Sequence, residues 1–237
     1  MSLNILKKEL WPGGLSYAGD SIGTDSLCLA AQWPPAPGSH GCDLGCGCGI
    51  LMLLLLWEQP RLQMSGVELR ADAAEFCRRN LAENGMADRS AVFTGDFRTV
   101  GPESGTMDFV ISNPPYFPAG SGGVSPDPDR AAMRTETASL PELCAVAFRL
   151  LKNGGDFRLV HRISRREELL SALTGAGFSL VSTRDIALNA ETPASLFLCR
   201  AVKGAAQADA AVLPTLYQRG NDGRETEEYR KICHWEE

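Results

Sequence analysis

The sequence predicts an α/β fold, a mainly parallel, doubly wound sheet with an antiparallel last strand. Three observations carry this. From residue 40 onward, short apolar runs alternate with longer amphipathic segments, the pattern of repeated βαβ units. The first run, His40 to Leu44, leads into Gly45-Cys46-Gly47-Cys48-Gly49 and then a helical stretch. Strand, glycine loop and helix in that order form the arrangement that cradles a nucleotide-like ligand. Finally, Leu180 to Arg184 and Ser195 to Val202 read as strands with no helix between them, so the sheet should end antiparallel. A chain of 237 residues fits one such domain, with residues 1–38 as an N-terminal extension.

Taken in order, residues 1–24 read as irregular, with Trp11-Pro12-Gly13-Gly14 as a turn. Thr24, Asp25 or Ser26 are each able to cap a short helix over Leu27 to Ala31. Pro34 to Gly38 then forms a stiff link. Ile50 to Glu58 is helical, Gln63 to Leu69 a strand, and Ala71 to Asn84 an amphipathic helix closed by Gly85. Ser90 to Thr94 and Met107 to Ser112 are the third and fourth strands. Leu140 to Leu151 should be a helix ended by Asn153-Gly154-Gly155. A strand over Asp156 to Val160 and a helix over Ser164 to Ala176 follow. The tail from Gly220 to Glu237 is polar and charged, with no element assigned.

The fourth strand ends in Asn113-Pro114-Pro115-Tyr116. Two prolines stop the sheet, because neither donates a ladder hydrogen bond, and they hold Asn113 extended. The elbow presents a carboxamide, two carbonyls and an aromatic ring at the carboxyl end of a strand. The Asn113 carboxamide oxygen and the Pro114 carbonyl can accept both hydrogens of a planar amino group, and Tyr116 can stack on a flat heterocycle. Glu68 lies at the tip of the strand beside the glycine loop, where a carboxylate can bind both hydroxyls of a ribose. Asp96 stands where it can accept the amino group of an adenine, with Phe97 beside the ring; a carboxylate closing a turn fits equally well. Residues 117–130, rich in Gly, Ser, Pro and Asp, read as a substrate lid or a disordered segment.

These motifs resemble the class I S-adenosylmethionine (SAM) dependent methyltransferases, which implies their Rossmann-like fold. Asp43 to Gly49 is similar to their cofactor loop, which implies SAM contacts from Asp43, Gly45, Gly47 and Gly49. Glu68 matches their ribose-binding acid and Asp96 their adenine-contacting acid, beside Phe97. Asn113-Pro114-Pro115-Tyr116 matches the motif of amino-group methyltransferases, which implies a catalytic elbow whose Asn113 also reaches the cofactor. Ile22-Gly23-Thr24-Asp25-Ser26-Leu27, Arg134-Thr135-Glu136-Thr137, Val160-His161-Arg162 and Leu216-Tyr217-Gln218 resemble the bacterial tRNA(Val) adenine N6-methyltransferase family. So does Gly223 to Tyr229. The resemblance implies methylation of the adenosine 3′ of the anticodon by a single domain over 1–237, with 1–38 packing near the cofactor site. Substrate contacts then fall to Tyr116, Arg134 and Arg162. The alternatives are a protein-glutamine N5- or rRNA guanine N2-methyltransferase, or a SAM-fold binding protein without catalysis.

Bulk properties frame these readings. The net charge of −6 argues against a generic nucleic-acid binder and calls for a local basic face if tRNA is the partner. Arg162, Arg165 and Arg166 supply one candidate, although the latter two, beside Glu167 and Glu168, also read as a solvated helix end. Cys42, Cys46 and Cys48 lack the Cys-x-x-Cys spacing of a zinc site, so no metal is expected. The opening stretch carries Lys7, Lys8 and Glu9 rather than an apolar leader, which predicts a cytoplasmic protein with reduced thiols and no membrane contact.

Overall fold

The structure, a computed structural model, describes residues 15–19, 22–116, 138–206 and 209–233. Burial along the central strands is nearly continuous, as in a sheet covered on both sides, and successive residues enter opposite cores. Phe109 and Ile111 enter one core and Val110 the other. The strands are β1 (His40–Leu44), β2 (Gln63–Glu68), β3 (Ser90–Thr94), β4 (Met107–Ser112), β5 (Leu151–Arg162), β6 (Phe178–Ala187), β7 (Leu196–Lys203) and β8 (Ala211–Tyr217). They form one sheet in the order β3-β2-β1-β4-β5-β7-β6-β8. Every pairing is parallel except those of β7, which runs against both β5 and β6.

Helices α1 (Thr24–Gln32), α2 (Ile50–Glu58) and α3 (Ala71–Glu83) cover one face. Helices α4 (Leu140–Leu150) and α5 (Arg166–Gly175) cover the other, and α6 (Glu227–Ile232) docks beside α1. In α2, all six residues from Leu51 to Leu56 are buried. A helix apolar all round must be enclosed, and each fully buried leucine contributes about 1.5–3 kcal/mol. This helix pins the glycine loop from below. Among the described residues, no helix is long and apolar enough to cross a membrane.

The structure departs from the sequence reading at three places. Helix α4 stops at Leu150, and β5 starts at the very next residue. The Asn153-Gly154-Gly155 stretch, expected to end the helix, lies inside the strand. Gly154 takes φ +79°, and a Cβ on Gly155 would stand 2.9 Å from the Asp108 carbonyl oxygen. The β4–β5 register shifts beside it, so these glycines make a bulge rather than a cap. The second departure is at α1. Gly23 is its N-cap, with no side-chain cap; Asp25 Oδ1 accepts from the Ser26 N–H at 2.9 Å inside the first turn, and Thr24 and Ser26 turn their side chains elsewhere.

The third departure is at the end of the chain. β8 continues the sheet beyond the antiparallel strand, parallel to β6, and α6 forms in the tail read as merely polar. Pro214 obscured β8 in the sequence. It is tolerated because β8 is an edge strand, and its carbonyl accepts from Arg184 Nε at 2.9 Å. Helix α6 is started by Thr226, whose hydroxyl accepts from the Tyr229 backbone N–H at 3.1 Å.

Candidate functional site

Open parallel sheets bind ligands at the carboxyl ends of their strands, where the strand order reverses. Here that point lies between β1 and β4. A cleft of about 280 Å³ opens there, lined by the glycine loop, Glu68, Asp96, Phe97 and Asn113 among others.

The glycine loop is held by its neighbours. The Gly45 and Cys46 N–H groups both donate to the Val67 carbonyl, at 2.9 and 3.1 Å. Gly45 and Gly47 adopt φ of +79° and +53°, with open space where a Cβ would stand. Gly49 differs. It does not line the cleft, and at φ +89° a Cβ on it would lie 2.6 Å from Cys77 Sγ. Its missing side chain lets α2 pack against α3.

Glu68 Oε2 accepts from the Gly47 N–H at 2.8 Å, and Oε1 accepts from the Arg70 N–H at 2.9 Å. The carboxylate thus fixes the loop, while each oxygen keeps a second lone pair for a ligand. Asp43 stands below it, 1% exposed, and among the described residues neither carboxyl oxygen has a hydrogen-bond partner. Burial, with a lesser push from Glu68, raises its pKa from 3.8 to about 8. An orphaned buried carboxyl against a cleft is a ready site for a cationic ligand group.

Asp96 and Phe97 border the cleft. The Asp96 carboxylate already accepts from the Arg98 backbone and guanidinium, and the guanidinium holds its pKa below the ordinary value. The turn-closing role is therefore present in the geometry, beside the place an adenine ring would need.

Asn113, Pro114 and Pro115 line the cleft, whereas Tyr116 stands behind them. Tyr116 is held from several sides. Its hydroxyl lies 2.6 Å from Asp25 Oδ2 and 2.7 Å from Asn113 Oδ1. Its ring meets His161 edge-on at 5.3 Å between centroids, and the Arg162 guanidinium lies 5.8 Å from the ring centroid. Asn113 Nδ2 donates to Ser26 Oγ at 3.0 Å.

One phenolic proton cannot serve two acceptors, and the carboxylate bond is the stronger. Turning the carboxamide about its last bond exchanges oxygen for nitrogen at almost no cost in shape. Asn113 then donates to Tyr116 Oη and accepts from the Ser26 hydroxyl, so that all four groups are paired. Tyr116 is more than a free stacking plate.

Several participants were not legible in the sequence. Tyr17 and Ser26 line the cleft. Asn80, fully buried, clips the segment bearing Tyr17. It accepts from the Ala18 N–H at 2.9 Å and donates to the Ala18 and Cys48 carbonyls, both at 2.8 Å. Asn84 does the same for Ser16. Asn80 sits in an ordinary amphipathic helix and Asn84 at its C-cap, and only tertiary contact reveals them. Of the arginine cluster, Arg165 and Arg166 are ion-paired with Glu168 and Asp185, and the Arg162 guanidinium lies against the Tyr116 ring of the elbow. Arg134 and residues 117–130 lie outside the described residues.

Comparison with known proteins supplies the family. The methyltransferase small domain model matches residues 13–178. A tRNA1(Val) (adenine(37)-N6)-methyltransferase of Porphyromonas gingivalis is 34% identical over 69% of this chain and 66% of its own length. The enzyme of that name from Enterobacter is 30% identical over 89% of this chain and 85% of its own. Among solved structures, an Agrobacterium tumefaciens protein described as a predicted O-methyltransferase superposes with a TM-score of 0.72 at 19% identity, covering 89% of this chain and 95% of that one. A geranyl diphosphate methyltransferase in complex with SAM superposes at 0.56 and 18% identity, over 75% of this chain and 83% of its own. These two show the shared fold. The chain belongs to the methyltransferase small domain family and groups with the tRNA1(Val) (adenine(37)-N6)-methyltransferases.

Proposed function

We propose that this chain methylates adenine N6 in tRNA(Val), at the adenosine next to the anticodon, in the cytoplasm. The observation that carries the reading is the opening of the Asn113-Pro114-Pro115 elbow onto the same cleft as the glycine loop and Glu68. The relatives that match most of the chain carry that activity in their names.

The residues present fit the cofactor. The spare lone pairs of Glu68 suit the two ribose hydroxyls, and Asp43 suits the cationic amino group of the methionine part. Gly45 and Gly47 leave room for the ligand to approach the backbone. Phe97, with Asp96, suits the adenine. When bound, SAM supplies a methyl group already activated by its sulfonium, so positioning carries most of the catalysis.

The chain's own residues then act on the acceptor. An aromatic amine is a weak nucleophile because its lone pair is spread into the ring. The Asn113 carboxamide oxygen and Pro114 carbonyl accept its two hydrogens and favour the more pyramidal, more positive nitrogen that forms on methyl transfer. Tyr116 backs the base, and Arg162 beside it suits a neighbouring phosphate. An anticodon-loop base is already unpaired and is extruded at low cost.

The test is transfer of labelled methyl from SAM to total tRNA, total rRNA and protein, followed by nucleoside and amino-acid analysis. N6-methyladenosine in tRNA(Val) is the expected product. Label in rRNA guanine or protein glutamine would overturn the tRNA reading and leave an amino methyltransferase of another substrate class. No transfer with SAM bound would identify a binding protein.

A further inference from the structure

The first turn of α1 supplies no helix cap, yet its polar side chains are not turned to solvent. Asp25 Oδ2 accepts from the Tyr116 hydroxyl at 2.6 Å, 91 residues away along the chain. Ser26 Oγ lies 3.0 Å from the Asn113 carboxamide nitrogen, 87 residues away. Ser26 is 6% exposed and borders the cleft. Both ends of the elbow are thus bonded to consecutive residues of one helix. The far end of α1 is also fixed, as Arg158 Nη1 donates to the Trp33 carbonyl at 2.7 Å.

We propose that Asp25 is a positioning residue for the methyl-transfer step: through its hydrogen bond it fixes the Tyr116 hydroxyl and ring, and through Tyr116, together with Ser26, it sets the rotation of the Asn113 carboxamide that meets the acceptor amine. The reasoning concerns a single proton. When Asp25 takes the phenolic proton, Tyr116 Oη can only accept from Asn113. The carboxamide must then offer its nitrogen to Tyr116 and its oxygen toward Ser26. Without Asp25 the phenol is free to donate to Asn113, which turns the carboxamide oxygen toward Tyr116 and away from Ser26, which borders the cleft. Asp25 touches neither acceptor nor cofactor in this account, so its loss should act on turnover and not on SAM binding.

The inference rests on the proposed amino-group chemistry but not on tRNA as the acceptor. The experiment compares Asp25→Ala, Asp25→Asn, Tyr116→Phe and the double variant Asp25→Ala/Tyr116→Phe. Single-turnover methylation is followed on whichever acceptor the wild-type enzyme labels, and SAM affinity by calorimetry. Asp25→Ala should slow the step roughly 10- to 100-fold, the scale of a small misplacement of reacting groups, with SAM affinity unchanged. Asp25→Asn keeps an acceptor oxygen and should restore most of the rate. The double variant should be no slower than the slower single one, because both act through one bond. Full turnover in Asp25→Ala, or rate losses that multiply in the double variant, would overturn the proposal. A measurement that needs no acceptor accompanies these. In protein labelled at the tyrosine ring carbon bearing the hydroxyl, the Tyr116 resonance should move in Asp25→Asn. A resonance that stays in place removes the contact, and the proposal with it, whatever the enzyme methylates.

Discussion

Asp43 and Glu68 are neighbouring carboxyl groups with opposite surroundings, since Glu68 accepts two backbone N–H bonds and Asp43 none. The consequence is a pH dependence of defined sign. Asp43 titrates near 3.8 when unfolded and near 8 when folded, so folding favours its protonated form. Its destabilising effect sets in as pH rises through the lower value and is complete above the higher one. A cationic amino group in the cleft favours the ionised form instead. SAM affinity should therefore rise with pH up to about 8, and Asp43→Asn should flatten both this rise and the accompanying loss of melting temperature. Calorimetry across that window checks it; a wild-type affinity independent of pH would sink the assignment. Glu68→Ala should weaken SAM by about 1–3 kcal/mol, through lost charge-assisted bonds to the ribose and the release of the Gly47 N–H. At this scale the sequence was informative where chemistry and backbone coincide, as at Glu68 and Asn113. It could not show that the Tyr116 hydroxyl is engaged, because Asp25 and Tyr116 meet only in three dimensions. A free stacking ring would make Tyr116→Phe silent, whereas the observed bonding predicts a measurable loss of turnover.

At the scale of elements, the first four strands and helices α2 and α3 were legible because each obeys a local rule: an apolar run, a glycine turn, an amphipathic repeat. The later boundaries were not, because tertiary pairing decides them. Gly154 and Gly155 look like a helix stop and serve as a bulge, and Pro214 looks like a strand breaker and sits on an edge. The segment bearing Tyr17 has no secondary structure and depends on Asn80. Asn80→Ala should leave the Ala18 N–H and the Ala18 and Cys48 carbonyls without their partner, at about 1–3 kcal/mol of stability. It should also weaken SAM, because the Tyr17 wall of the cleft loosens. Thermal melting with and without SAM separates the two effects. If Asn80→Ala lowers stability and leaves SAM affinity intact, residues 15–18 are packing alone. Gly49→Ala should be worse tolerated than Gly85→Ala, since only the first meets a neighbour at 2.6 Å; Gly85, at φ +69°, faces open space.

Across the whole molecule, charge is balanced locally rather than spread. Asp156 holds Arg158 at 2.8 Å and Arg200 at 2.7 Å, with Asp156 and Arg158 both 8% exposed in their side chains. Asp156→Ala should destabilise the fold by roughly 3–5 kcal/mol, because it strands a buried guanidinium; denaturant unfolding measures this. With so many arginines committed to carboxylates, tRNA binding should fall only moderately with salt, by a slope that reports few phosphate contacts. Arg162→Ala should reduce that slope by about one contact if Arg162 meets a phosphate. The ends of the molecule are joined as well. The Thr24 and Tyr229 hydroxyls lie 3.0 Å apart across 205 residues of chain, and Arg184 binds both Gln32 of α1 and Glu228 of α6. Helix α1, which grips the elbow, is therefore itself gripped by α6. This has a consequence in time. A ribosome adding about 5–20 residues each second needs roughly 10–40 s to travel from Thr24 to Tyr229. Through that interval the glycine loop and elbow can form while α1 lacks its outer support, so a nascent chain should acquire SAM binding before it acquires methyl transfer.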